Sequence, residues 1–356
     1  MPSNLDPRRR TAIYALAAFA AGVLATIGVL RFGPDPLTLR PVPVAVASPA
    51  AAVTASAPAP SASVADANAD TNADADEDDA AEPGPNDWPD DAPTPEQVFS
   101  AQPDQVKASL SKLAKRTPGK TNVYAIAFAG DASEDVFRNE AEYLDRLMAT
   151  RFGSPGHTLV LENNPKSLTT RPLASWTNLE GALAGLAKVM DPREDVLLLY
   201  VATHGGSDHS LLVDMDPIPL DQLDADGLAD IFARHAFRWK VVVVNACYSG
   251  GFVPRLRGAG TLVMTSARND RTSFGCGVDS DITYFGRAWL ADGLNATPDF
   301  VDAFGKARAE IAAWEKKDSL TPSEPQMDMG DGIADKLAAW RKGLKPGPVV
   351  PFSAAK

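Results

Sequence analysis

Five runs rich in apolar residues recur along the second two-thirds of the chain, and each is the length of a buried β-strand. These runs are Thr121–Ala129, His157–Leu161, Asp195–Thr203, Lys240–Asn245 and Thr261–Ser266. Segments with apolar residues at helical spacing separate them, namely Glu134–Arg151, Thr177–Met190 (opened by a capping box, Thr177 with Glu180) and Asp224–Ala236. Strands that alternate with helices predict an α/β fold with a mainly parallel sheet of about six strands and helices on both faces.

The two ends of this region also have helical patterns. Before the first strand, a short helix is predicted from Thr94 and another over Asp104–Ala114. After the last strand, helices are predicted over Tyr284–Leu294, Asp299–Lys317 and Asp331–Leu344. The Pro-rich end, 346–356, is predicted to be a disordered tail.

The longest apolar run lies near the N-terminus, from Thr11 to Leu30, and Arg8–Arg10 precede it. About 20 apolar residues suffice for a helix to cross the hydrocarbon core of a bilayer. The residues that follow make a poor signal-peptidase site, although Ala-rich sites near Ala45 leave a cleaved signal peptide open. We expect an uncleaved single-pass anchor over 11–32 that keeps 1–10 in the cytoplasm and the rest of the chain outside.

An acidic segment links this run to the folded region. Between Pro41 and Val106 the chain has 13 Asp and Glu residues and no Lys or Arg, so the remainder carries a net charge of only +1. Ala65–Asp79 contains no large apolar residue and repels itself, which predicts a disordered linker. The nearly neutral remainder gives no electrostatic support for nucleic-acid binding.

Two of the predicted strands end in residues that could perform cysteine catalysis. Asp195–Thr203 leads into His204 and Gly205, and Lys240–Asn245 leads into Ala246 and Cys247. Because the carboxyl ends of parallel strands meet at one edge of a sheet, an imidazole and a thiol are expected close together there. His209, five residues after His204, is a competing base, but its position before Ser-Leu-Leu is typical of a surface turn.

Other catalytic classes fit the sequence poorly. It has no Gly-x-Ser-x-Gly elbow, no His-Glu-x-x-His or paired Cys-x-x-Cys zinc motif, and no Walker or dinucleotide-binding glycine pattern. We therefore expect neither a metal nor a cofactor. The two cysteines, Cys247 and Cys276, are too few for a disulfide scaffold.

These residues resemble the legumain-type cysteine peptidases of the caspase-like clan, and specifically their bacterial membrane-anchored members. The similarity extends through Thr265–Cys276 and Thr283–Gly286. It implies a caspase-like three-layer sandwich over 96–345, with Cys247 as nucleophile and His204 as base or acid. It also implies an oxyanion hole formed by the N–H groups of Gly205 and Cys247, and a peptide or protein as substrate.

The resemblance further implies a pocket for the residue before the scissile bond, which is asparagine for legumains. Arg138 and Ser273 match two residues of that pocket, but Arg287 stands where the family has an aspartate. If Arg287 faces the pocket, an acidic substrate residue is expected. If it points away, the preference should remain neutral.

The sequence thus predicts an endopeptidase domain held by a linker over 33–95 on the periplasmic side of the inner membrane. Two alternatives stay open: a catalytically silent caspase-like binding module, and a peptide ligase that uses the same acyl-enzyme. The sequence does not indicate an oligomeric state.

Overall fold

A computed structural model describes residues 88–277 and 280–355. The expected cytoplasmic residues 1–10, the expected anchor over 11–32 and the linker as far as residue 87 lie outside these ranges. Within the described ranges, no helix is both long enough and apolar enough to cross a membrane.

Six strands form one sheet in the order β2-β1-β3-β4-β5-β6, and β6 alone is antiparallel to its neighbour. The strands are β1 Val123–Ala129, β2 Thr158–Glu162, β3 Val196–Ala202, β4 Lys240–Asn245, β5 Thr261–Thr265 and β6 Gln326–Met329. The prediction of an α/β fold with a mostly parallel sheet is confirmed. The first five strands were located from the sequence to within two residues at each end.

Helices connect the strands and cover both faces of the sheet. The α-helices are α1 Pro95–Ser111, α2 Asp135–Thr150, α3 Trp176–Val189, α4 Ala225–Ala233, α5 Val253–Leu256, α6 Leu294–Ala296, α7 Phe300–Lys317 and α8 Ile333–Gly343. A π-helix spans Gly286–Gly293, and short 3₁₀ helices span Pro165–Ser167 and Ser249–Phe252.

Burial on both faces explains why the central strands are continuously apolar. On one face, alternate residues of β1 to β5 pack against α2, the π-helix, α7 and α8. On the other face, the remaining residues pack against α3 and α4. In β1 the first face carries Ala125, Ala127 and Ala129, whose small side chains let α2 lie close to the strand.

Residues 88–95 belong to the folded part of the chain. Trp88 donates its indole N–H to the Pro93 carbonyl (2.9 Å) and packs against an apolar cluster that includes Val98. The predicted end of the disordered linker at residue 95 is therefore wrong, because residues 88–95 have an apolar surface to bury. The two helices predicted from Thr94 to Ala114 are one helix, α1, which contains Pro103.

The start of α3 also differs from the prediction. The helix begins at Trp176, and the Ser175 hydroxyl accepts a hydrogen bond from the Asn178 N–H (3.2 Å). The cap is therefore Ser175 rather than Thr177. A capping box does occur at the start of α1, where Thr94 and Gln97 exchange side-chain and backbone hydrogen bonds.

The C-terminal segment 346–355 is packed along α2, so the expectation of a disordered tail is wrong. Tyr143 donates to the Val350 carbonyl (2.7 Å), and Asn295 bonds both the N–H and the C=O of Val350. The ring of Phe352 lies 5.3 Å from that of Tyr143, and the Ala355 N–H donates to Asn139. Two apolar side chains and these satisfied backbone groups outweigh the Pro-rich composition.

Candidate active site

The ends of β3 and β4 place His204 and Cys247 side by side. Ala202 pairs with Asn245 in the parallel register, and the Thr203 N–H donates to the Asn245 carbonyl (3.2 Å). Two residues after this pair, the same register brings His204, which follows β3, next to Cys247, which follows β4. The backbones touch there, since a Cβ on Gly205 would lie 2.1 Å from the Cys247 carbonyl oxygen. Only glycine allows this approach.

Two carboxylates face the imidazole of His204. Its Nε2 lies 3.5 Å from Asp131 Oδ2 and 3.6 Å from Glu134 Oε1, and Phe137 packs edge-on against the ring at 5.1 Å. Asp131 is buried and is held by the N–H and hydroxyl of Ser133. Burial raises the pKa of Glu134, His204 opposes this rise, and Asp131 adds to it. Both carboxylates therefore lie beside the same ring nitrogen, Nε2.

Asp131 and Glu134 were not among the site residues predicted from the sequence. A signal was present, because Asp131 follows β1 at the same sheet edge where β3 and β4 deliver His204 and Cys247. The rule that located the histidine and the cysteine therefore applies to a third strand.

The thiol of Cys247 lies against the loop that follows β5. The Ser273 N–H donates to Sγ (3.3 Å), and the Ser273 carbonyl and hydroxyl oxygens lie 3.6 and 3.7 Å from it. The structure thus brings Ser273, a predicted substrate-binding residue, to the predicted nucleophile.

Two backbone N–H groups beside the thiol are free to bind an oxyanion. Among the hydrogen bonds of residues 88–277 and 280–355, the N–H groups of Gly205 and Cys247 donate to no acceptor. The next residue along the chain is engaged in each case: the Gly206 N–H donates to the Ser210 carbonyl, and the Tyr248 N–H donates to the Arg271 carbonyl. Such unpaired donors suit a developing negative charge.

A buried carboxylate ties the site to the loop before the π-helix. Glu140 accepts hydrogen bonds from Tyr200 of β3 (2.6 Å), from Asn245 of β4 (2.8 Å) and from the Thr283 N–H (2.9 Å). Burial raises its pKa, and these three donors oppose the rise. A Cβ on Gly286 would lie 2.1 Å from Glu140, so this glycine makes room for the carboxylate.

Arg138 lies beside Glu162 at the end of β2, with 3.4 Å between Nε and Oε1. Both side chains are buried. Burial, followed by the charge of Glu142, raises the pKa of Glu162 to about 7, and Arg138 offsets only part of this rise.

Glu162 is expected to make the protein less stable as the pH rises from about 5 to about 8. Because its pKa is about 7 when folded and 4.5 ordinarily, the folded protein binds the proton more tightly than the unfolded chain. The resulting stabilisation is fully present when the pH is below the ordinary pKa of 4.5, and it is lost as the pH rises through the folded pKa of about 7. It amounts to at most about 3 kcal/mol.

Denaturant unfolding of Glu162→Gln at both pH values checks this, because glutamine cannot ionise and should remove that part of the pH dependence. The control is Glu180→Gln, since Glu180 is part-exposed and paired with Arg234 on the surface. It should behave like the wild type. Identical pH dependence in Glu162→Gln and wild type would contradict the prediction.

Arg287 holds the C-terminal segment. Its guanidinium lies 4.9 Å above the ring of Phe352. It also lines a groove of about 410 Å³ together with Asp281, Tyr284 and Trp314. The structure therefore gives both arginines of the expected pocket partners within the protein: Glu162 for Arg138 and Phe352 for Arg287.

The second cysteine has a different environment from the first. Cys276 is half-buried and packs against the core cluster on the α2 face. Burial, together with the charges of Cys247, Glu134 and Glu140, raises its pKa to about 11. In the described residues, no group of three or more His, Cys, Asp or Glu side chains is arranged to hold a metal ion.

Part of the chain matches a known protein family. Residues 177–335 match the family model described as the Peptidase C13 family. This range runs from α3 into α8 and includes His204, Cys247, Ser273 and Arg287. No curated protein matches the chain significantly.

Proposed function

Because the chain contains a Peptidase C13 (legumain) family domain over residues 177–335, we propose that it is a cysteine endopeptidase that uses Cys247 and His204. The observation that carries this proposal is the sheet edge itself. The proposal is supported by three features that follow β3 and β4: a thiol with an N–H donor directed at sulfur, an imidazole with two carboxylate partners, and two unpaired backbone N–H groups.

The proposed reaction begins with transfer of the Cys247 thiol proton to His204. The thiolate attacks the peptide carbonyl carbon, a C–S bond forms, and the oxyanion is stabilised by the N–H groups of Gly205 and Cys247. His204 then gives the proton to the leaving amine as the C–N bond breaks. Water, deprotonated by His204, hydrolyses the thioester and restores the free thiol.

We propose that the residue before the cut is uncharged. Ser273, beside the thiol, would contact the substrate backbone. The guanidinium groups of Arg138 and Arg287 already have partners in the protein, which supports the neutral alternative over an acidic side chain.

Labelling with a peptidyl chloromethyl ketone that ends in an uncharged residue tests the function. We expect one label per chain, on Cys247, and none on Cys247→Ser. Cys276 serves as an internal control, because a pKa of about 11 keeps its thiol protonated at neutral pH. A folded protein that takes no label would instead be a silent binding module. Peptide transfer to an added amine, in place of hydrolysis, would show a ligase.

The location of the domain is a separate proposal. The three arginines before the apolar run support a single-pass anchor in the inner membrane with residues 33–356 on the periplasmic side. A reporter fused after Phe32 should be active only outside the cytoplasm. Activity only in the cytoplasm would reverse the topology, and a released soluble domain would favour a signal peptide.

A further inference from the structure

The residue directly after Cys247 has an unusual backbone conformation. Tyr248 has φ = 56°, in the left-handed region of backbone conformation that residues other than glycine seldom adopt. Such a residue persists only where its surroundings hold it, and strained residues of this kind cluster at functional sites. Here the strained residue directly follows Cys247, whose N–H is a proposed oxyanion donor.

His209 holds this turn from one side. Its Nδ1 lies 3.2 Å from the Tyr248 carbonyl oxygen, which also accepts the Gly251 N–H (3.1 Å). The imidazole lies against Gly251, where an added Cβ would be 2.2 Å from the ring Cγ. His209 does lie in a half-buried turn, and its side chain also contacts the loop of the proposed nucleophile.

The loop that carries His209 is itself rigidly built. His209 has φ = 66°, its N–H donates to the Gly206 carbonyl (2.9 Å), and the Gly206 N–H donates to Ser210 (2.8 Å). Asp208 accepts hydrogen bonds from the N–H and hydroxyl of Ser210. This loop begins at Gly205, so it links both proposed oxyanion donors.

The other side of the turn is held by a second loop. The Tyr248 N–H donates to the Arg271 carbonyl (2.7 Å), two residues before Ser273. The peptide groups of Tyr248 are thus fixed from two directions. The Tyr248 N–H is held by a backbone carbonyl, whereas the Tyr248 carbonyl is held by the Gly251 N–H within the same turn and by the His209 side chain from a different loop.

We propose that His209 is a positioning residue that keeps the Tyr248 turn in place and so directs the Cys247 N–H at the oxyanion. This inference rests on the proposed peptidase function. Since an oxyanion forms only during reaction, loss of the contact should lower kcat and leave KM nearly unchanged. His209 donates through Nδ1 and does not exchange a proton with the substrate.

His209→Gly is the main test, because glycine keeps the left-handed backbone and deletes only the ring. We expect kcat to fall about tenfold to a hundredfold, below the full loss of an oxyanion donor. His209→Asn should recover part of that loss, since asparagine tolerates φ near 60° and supplies an amide N–H. Gly251→Ala should resemble His209→Gly by displacing the ring, and combining the two should add little.

The matched control is His157→Phe. The Nδ1 of His157 also lies near a backbone carbonyl oxygen, that of Val123, at 3.3 Å. His157 precedes β2, however, and so lies at the amino ends of the strands, away from Cys247. This variant should keep wild-type kcat. Wild-type kcat in a folded His209→Gly variant would overturn the proposal, and so would a raised KM with unchanged kcat.

Hydrogen exchange over residues 246–252 gives a readout that does not need turnover. Exchange there should be at least about tenfold faster in His209→Gly than in the wild type or His157→Phe. If the wild type neither cleaves peptides nor takes the label, the peptidase proposal fails, and exchange still decides whether His209 holds the turn. Unchanged exchange would overturn that role.

Discussion

Cys247→Ala is expected to lower turnover by at least about 10⁴-fold while leaving the fold intact, because it removes the sulfur that is proposed to form the thioester. His204→Ala should come close to the same loss, since the thiol then lacks its base. Nucleophile and base act as one unit, so the double variant should be hardly worse than either single variant. Steady-state hydrolysis of a peptide substrate by the three variants measures this.

Unfolding temperatures provide the control for the same variants. Cys247 and His204 are only half-buried, so their truncation should cost little stability. Turnover that survives Cys247→Ala would end the peptidase proposal as stated. Additive losses in the double variant would show that the two residues do not act together.

Removing the carboxylates beside His204 is expected to have the second-largest effect. Asp131→Asn and Glu134→Gln preserve shape but remove the negative charges that lie 3.5 and 3.6 Å from Nε2. Each amide can also present an N–H to the ring and so favour the wrong tautomer. We expect kcat to fall roughly tenfold to a hundredfold for each, and more for the pair.

The pH dependence separates this role from a structural one. Burial, and to a smaller extent the charge of Asp131, raises the pKa of the Glu134 carboxyl. The acidic limb of the pH profile that this carboxyl sets should therefore move to lower pH in Asp131→Asn and be absent in Glu134→Gln. Glu142→Gln is the matched control. Glu142 lies on α2 and pairs with Arg171 (2.7 Å) instead of His204. It should leave both kcat and the profile unchanged. An unshifted profile in Asp131→Asn and Glu134→Gln would show that the carboxylates only support the fold.

The sequence by itself determined five of the six strands and indicated the two residues proposed to be catalytic, Cys247 and His204. Strands buried on both faces must be continuously apolar, so β1 to β5 appear as uninterrupted runs. Parallel strands also deliver their carboxyl ends to one edge. Those two facts were enough to place His204 beside Cys247.

Only the tertiary structure decided the remaining features. β6 has exposed Met327 and Met329 and lies at the edge of the sheet, so it has no continuous apolar run to reveal it. The tail is ordered through contacts with Tyr143 and Asn295, which are far away in sequence. Likewise, the contacts of Arg138 with Glu162, of Arg287 with Phe352 and of His209 with Tyr248 each join separate segments of the chain. Hydrophobic periodicity reports how deeply a local segment is buried, whereas these contacts depend on which distant segment packs against it.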